Sequence, residues 1–447
     1  MKHVMRMILL VGCGFWLAGA APARTQSQPQ VPSPSSRDLG DLLAYAEAHH
    51  PTLIAARAQA AALRQDAVVA GSLPDLKLAW GEMLVPVETR VGAQQRVFSL
   101  SQSIPWFGTL GSASEAAGLR AQAADERGRA AGLKVRREIY RAWFEVARLR
   151  AEQKLVARKG DLLEQELATA HAVYESNSMT YTGLVRLRMS RQRLRNRLLT
   201  IEDALGPAMA SLAVAAGMPA NWATDRTTDL AMPPQATLPS RPDDLPDPAA
   251  MIQHVRAANP ALAGLRLQEQ GYAQDEHTAR LRGKPGLTLG LDYIMTDQAT
   301  MPGVTDSGKD PVIARVAVSL PLWSGKASAR RQASAGRREM AAADRRHLEL
   351  ELEDELQRVL FRLHAAERRL ALLTDDLLPA ARQLRTAARA DYETGRGALA
   401  QLLSIRGEIL DLEIEKLRHE ADRALALVDL DILQGGGGDA FLFFPGE

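Results

Sequence analysis

The sequence predicts a mainly α chain with a small β part, built twice, in which long coiled-coil helices alternate with pairs of short strands. Three observations carry this. Motifs recur in the same order in the two halves. Apolar residues in the longest segments fall at a 3.5-residue period. Four short stretches alternate apolar residues with small or polar ones. Composition agrees, since aromatics make up only 5% of the 447 residues and Ala, Leu, Arg, Glu and Gln abound, as suits long helices. With 55 basic against 53 acidic residues, the charge balance gives no reason to expect nucleic acid as a partner. Cys13 is the only cysteine, which excludes a disulfide framework and a cysteine-based metal site in the body of the chain.

Residues 1–23 read as an export signal. Lys2 and Arg6 precede an apolar run from Met7 to Ala20, and Ala21-Pro22-Ala23 supplies small residues for cleavage. Leu10-Val11-Gly12-Cys13 also has the form of a lipobox. The run continues past Cys13 through Phe15, Trp16 and Leu17, which favours cleavage after Ala23. It is too short for a lasting anchor. No later stretch reads as a transmembrane helix, so a membrane-spanning part would have to be a closed barrel.

The duplication is read directly. His50-Pro51 is echoed by Asn259-Pro260, Gln65-Asp66 by Gln274-Asp275, Ser103-Ile104-Pro105 by Ser319-Leu320-Pro321, and Ala172–Glu175 by Ala390–Glu393. One such pair arises by chance; four in order do not. The first repeat is set at 24–217 and the second at 248–434. The stretch 218–247, rich in Pro, Asp and Thr, is a connector. Residues 435–447, beginning with a glycine run, read as a flexible tail.

Within each repeat a helical lead-in is followed by two strands, at about 75–83 and 95–104, then about 286–295 and 311–320. Leu76, Leu78 and Trp80 alternate with Lys77, Ala79 and Gly81; Leu287, Leu289, Leu291 and Tyr293 alternate with Thr288, Gly290 and Asp292. One apolar face and one small or polar face suits a wall between lipid and water. A half-buried sheet of a soluble domain alternates in the same way. The segments Gly81–Gln95 and Thr296–Asp310 read as long polar turns.

The helices follow. No proline occurs between Trp106 and Gly206. In the second repeat Leu352, Leu356, Val359, Leu363, Ala366, Leu370, Leu373, Leu377, Ala380, Leu384 and Ala387 alternate steps of four and three, the mark of a left-handed coiled coil. Ile139, Ala142, Val146, Leu149, Val156, Leu163 and Leu167 keep the same beat in the first. A periplasmic coiled-coil protein would share the heptads but would not need paired strands at matching points. Four strands are too few to close in a membrane, where an open edge costs several kcal/mol per unpaired group. Three copies give twelve strands and room for a pore.

This layout resembles the TolC family of outer-membrane efflux proteins across essentially the whole mature chain. The likeness rests on the two X-Pro helix starts, on Ser103–Gly108 and Ser319–Gly325 at the strand ends, and on Tyr392-Glu-Thr-Gly395 at a helix turn. Gln102–Leu110 is similar to the branch serving heavy-metal resistance, of the CusC and CzcC kind. The resemblance implies a homotrimer with a twelve-stranded barrel in outer-membrane lipid and a periplasmic helical tunnel. It implies a periplasmic adaptor (membrane fusion) protein and an inner-membrane transporter of the RND type as partners, with no catalysis and no cofactor. Drug efflux and type I protein secretion share the architecture.

The family's tunnel end lies at the helix-to-helix turns. Arg186, Arg188, Tyr392, Gln401, Ser404 and Arg406 are gate candidates. Tyr174, Glu175, Glu393 and Gly395 are candidates for adaptor contact. Many members carry aspartates where this chain has Gln401 and Ser404, so an acidic ring is not expected there. Arg188 and Arg406 fall at equivalent places in the two repeats and would form rings under threefold symmetry, unless they lie on the outer, solvated face. His49 and His50 are adjacent and the other histidines scattered, so no metal site is expected, and no catalytic constellation stands out.

Overall fold

In a computed structural model, residues 38–175, 181–219, 247–394, 396 and 399–436 are described. The export signal, the connector from 220 to 246 and the tail from 437 lie outside them. Each repeat opens with a helix pair broken at proline: α1 (Leu39–His49) and α2 (Pro51–Gly71), then, in the second repeat, α5 (Pro248–Ala258) and α6 (Pro260–Leu281). A residue before proline is driven out of the helical region, and His50 and Asn259 sit at ψ 126° and 120°. Each then caps the helix it precedes. Thr52 N donates to His50 Nδ1 at 3.2 Å, and Ala261 N donates to Asn259 Oδ1 at 3.0 Å. Burial holds His50 below its ordinary pKa, against the pull of Glu138, which keeps the ring a neutral acceptor.

The strands are β1 (Lys77–Thr89), β2 (Gly92–Ile104), β3 (Gly286–Thr296) and β4 (Val312–Ser319), in one antiparallel sheet of order β1-β2-β3-β4. The first hairpin differs from the sequence expectation. Glu82 to Gln94 is strand rather than a long polar turn, with an irregularity between Glu82 and Val87 and a reversal at Arg90-Val91. Leu84, Val85 and Val87 extend the apolar run. Gly92 makes the reversal possible: at φ +133° a Cβ would lie 1.7 Å from Asp297 O. The second hairpin keeps a long loop, 297–311, which folds over the first. Gly308 N donates to Val91 O at 2.7 Å and Asp297 N to Ala93 O at 2.8 Å.

Two helical hairpins follow the strands. The first pairs α3 (Thr109–Glu175, 67 residues) with α4 (Tyr181–Ala215). At 1.5 Å per residue α3 reaches about 100 Å. In the second, α7 (Ser324–Ala371) continues through a π-helical turn at Leu372–Leu377 into α8 (Leu378–Glu393), followed by α9 (Leu399–Leu433). The π turn corrects the heptad register. Leu352, Leu356, Val359, Leu363, Ala366 and Leu373 are buried as the 3.5-residue period predicts. Beyond them the buried residues are Leu378, Ala381 and Ala388, each one place after the expected Leu377, Ala380 and Ala387, and Leu384 is 48% exposed. A π turn inserts one residue into the ladder and so slips the seam by one. Pro379, which has no N–H to donate, is the second residue after it.

The main core forms where α3 crosses α1, α4 and α9. Ile139, Tyr140, Trp143, Phe144 and Val146 meet Leu42, Tyr45, Ile201, Leu205, Leu212, Ile414 and Val428. The charge-poor part of α4 after Arg197 is long and apolar enough to cross a membrane by composition, contrary to the sequence reading. One side of it, Ile201, Leu205, Met209, Leu212 and Ala213, is buried in this core, while Leu199 and Val214 are exposed.

Three helices are also joined by charge. Asp429 on α9 is 1% exposed. It accepts from Arg137 on α3 at 2.6 and 3.0 Å and pairs with Arg362 on α7 at 3.2 Å, while Arg137 also donates to Glu355 at 2.9 Å. The bond to Asp429 is the main cause holding the Arg137 pKa above its ordinary value.

The final helix of each repeat returns to the start of that repeat. Gly217 and Gly435 both have positive φ, +78° and +76°, and pack on His50 and Ala258. Gly435 and Gly436 are therefore a helix cap, which corrects their reading as the beginning of a flexible tail.

Candidate functional site

The sheet has two chemically distinct faces, and the register shows them in rows. Leu78, Leu100, Leu291 and Ala314 lie side by side, as do Trp80, Phe98, Tyr293 and Val312. Phe98 and Tyr293 rings are 6.5 Å apart. These residues are exposed in the single chain. The opposite face carries Lys77, Ser101, Gly290 and Arg315 in one row and Ala79, Ser99, Asp292 and Ile313 in the next. Ser99 Oγ donates to Asp292 at 2.5 Å, and Arg315 pairs with the same carboxylate, which is 4% exposed. One face thus suits lipid and the other water.

The ends of the sheet are marked as well. Phe107 and Trp323, at the junctions of strand and helix, are 80% and 81% exposed, with Trp106 and Leu322 beside them. Aromatics in such a place suit a membrane–water boundary. β1 and β4 are both free edges, so the chain alone leaves two rows of backbone groups unpaired.

The far ends of the two helical hairpins hold the sequence candidates. Leu163, Leu167, Leu184 and Leu187 pack together, with Leu399 and Leu403 against them, so the hairpins touch here. Arg186 is exposed. Arg188 is exposed but engaged. Tyr392 packs on the cluster of Ala388, Leu402 and Ile405. Glu393 accepts from Arg389 Nε at 2.8 Å, which raises the Arg389 pKa. Gln401 and Ser404 lie on the exposed side of α9. Arg406 is half-buried and paired with Glu166 on α3. Arg188 and Arg406 therefore differ in setting despite their matching places in the repeats. Tyr174 and Glu175 end α3; Gly395 lies outside the described residues.

Sequence reasoning missed Glu166 and the pairs that bind α4 to its neighbours. Arg197 pairs with Asp411 at 2.7 Å and Glu152 at 3.4 Å, and Arg191 with Glu164 at 3.7 Å. The available signal was the charged positions flanking the heptad seam, which bridge helices in coiled coils.

The family model described as "Outer membrane efflux protein" matches residues 251–436. No curated protein matches the sequence significantly. Among solved structures, the outer membrane protein VceC from Vibrio cholerae superposes with a TM-score of 0.71 at 20% identity, over 89% of this chain and 96% of that one. The transmembrane channel CusC gives 0.70 at 15% identity, over 90% and 93%. The open state of the Neisseria gonorrhoeae outer membrane channel MtrE gives 0.65 at 18%, over 89% of each. CusC is thus no nearer than VceC, and the heavy-metal branch is not singled out. Residues 251–436 match the outer membrane efflux protein family, and the chain as a whole has the fold of these outer-membrane channels.

Proposed function

We propose that the chain is one third of a passive exit duct of the bacterial outer membrane, serving a tripartite efflux system. The observation that carries this is the sheet: four strands, one face apolar, two free edges, mounted on helices about 100 Å long. Pairing β4 of one copy with β1 of the next removes the edges, and three copies give twelve strands around a water-filled opening. The long hairpins then continue as a periplasmic tube. The far ends of the hairpins are the place for a periplasmic adaptor, with an inner-membrane transporter of the RND type beneath supplying the energy. A heavy-metal cargo rests on Gln102–Leu110 alone, and the fold is equally that of channels outside that branch.

A resting duct must be shut at its periplasmic end. Arg188 and Arg406 suit a closure that an adaptor can release, because charge-assisted bonds to carboxylates are strong when aligned and are lost when helices shift. The Arg406–Glu166 pair ties α9 to α3 within one chain. Replacing both arginines by Ala is expected to raise single-channel conductance in a planar bilayer. Trimer stability should change by less than about 1 kcal/mol, since half-exposed pairs contribute little. Unaltered conductance with the trimer intact would place the gate elsewhere; an intact trimer that passes no current either as the wild type or as the double variant would overturn the duct itself.

A further inference from the structure

The tunnel end of the proposed duct is strongly and one-sidedly charged. Between Tyr181 and Ile201, α4 carries six arginines, at 186, 188, 191, 193, 195 and 197, and no acidic residue. The other helices there are near balance: four basic and five acidic residues in 150–175, three and two in 378–393, three and four in 399–419. Nothing nearby cancels α4. Two of its arginines have carboxylate partners within the chain, Arg191 and Arg197. Arg188 is engaged, whereas Arg186, Arg193 and Arg195 are exposed and have no carboxylate partner among the described residues.

Their placement makes the charge effective whichever way the helix turns in the assembled tube. The buried seam of α4 is Leu184, Leu187 and Ile201. At 100° per residue, Arg186, Arg193 and Arg197 flank it on one side and Arg188, Arg191 and Arg195 on the other. A wall one helix thick is about 10 Å across, comparable with the screening length of about 8 Å at physiological salt. Arginine side chains reach several ångströms further. Threefold repetition multiplies the surplus, and a narrow passage with low-dielectric walls concentrates the field. Gln401 and Ser404, exposed on α9, offer no carboxylate to oppose it. The polar face of the sheet leans the same way, with Lys77 and Arg315 against Asp292.

We propose that this duct prefers anions, and that the arginines of α4 act as an electrostatic filter favouring negatively charged solutes over free cations. The proposal rests on the duct reading above and names the class of cargo. It disfavours free metal cations as the substrate.

The test is the reversal potential of the full-length wild-type trimer in a bilayer of neutral lipid under a KCl gradient. The expected result is a chloride-to-potassium permeability ratio above one. In R186Q/R193Q/R195Q the ratio should fall severalfold. In the wild type, inositol hexaphosphate added on the tunnel side should block the current at concentrations where a polyamine does not. A cation-selective wild-type channel overturns the filter while leaving the duct intact, as does an assembled variant with an unchanged ratio. The arginines would then serve contacts between chains or with the adaptor. If the variant does not assemble, the wild-type ratio and the polyanion block decide the question. If neither the intact wild-type trimer nor the R188A/R406A variant passes current, the duct reading falls and this proposal with it.

Discussion

Arg in place of Leu291 is expected to abolish assembly of the oligomer, whereas Arg in place of Thr288 leaves most of it intact. Leu291 stands in the apolar row with Leu78 and Leu100 and is exposed in the single chain. In the proposed barrel that row would meet lipid, where an arginine costs roughly 2–4 kcal/mol near the midplane. Threefold symmetry places the cost in all three chains, roughly 6–12 kcal/mol in total, which is comparable with the whole stability of a typical domain. Thr288 is paired with Ser103 and Ala317 on the other face, where an added charge meets water. The measurement is the fraction of heat-modifiable oligomer recovered from membranes. Equal loss from both variants, or from neither, contradicts the two-sided wall.

Asp429→Ala is expected to destabilise the packed helices by about 3 kcal/mol, because it removes the buried carboxylate between two guanidinium groups and leaves both to share Glu355. The figure is at the lower end for a broken buried pair, since the side chains of Arg137 and Arg362 are 32% and 42% exposed and recover some water. Asp429→Asn keeps the shape and one hydrogen bond to Arg137, and should fall between. Thermal unfolding of the detergent-solubilised protein, followed by its helical signal, reads the difference. An alanine variant as stable as the wild type would show that Arg137 and Glu355 hold the junction without the aspartate.

Much of the architecture is legible in the residues because its signals are local. The alternation of Leu289, Leu291 and Tyr293 with Gly290 and Asp292 fixes two faces whatever lies beyond them. The proline after His50 and Asn259 marks a helix start through its own geometry. What escaped depends on partners distant in sequence or on a shift of register. The π turn at Leu372–Leu377 moves the seam from Leu377 to Leu378, and only the proline just beyond it hints at this. The segment from Glu82 to Gln94, with Pro86 and Gly92 in it, resembles a loop, yet loop 297–311 supplies the bonds that stabilise the hairpin end. At the candidate gate, Arg406 is found by its place in the repeat. Its partner Glu166 lies 240 residues away, and nothing local announces it.

In the proposed duct three copies of this chain share one barrel. The mass of the full-length protein, extracted from the outer-membrane fraction in mild detergent and measured with the detergent contribution removed, tests it most directly. Three copies of the chain in a single species are expected. A stable monomer, whose β1 and β4 edges would lie unpaired in lipid, or a stable dimer, whose eight strands would enclose no open pore, would contradict it.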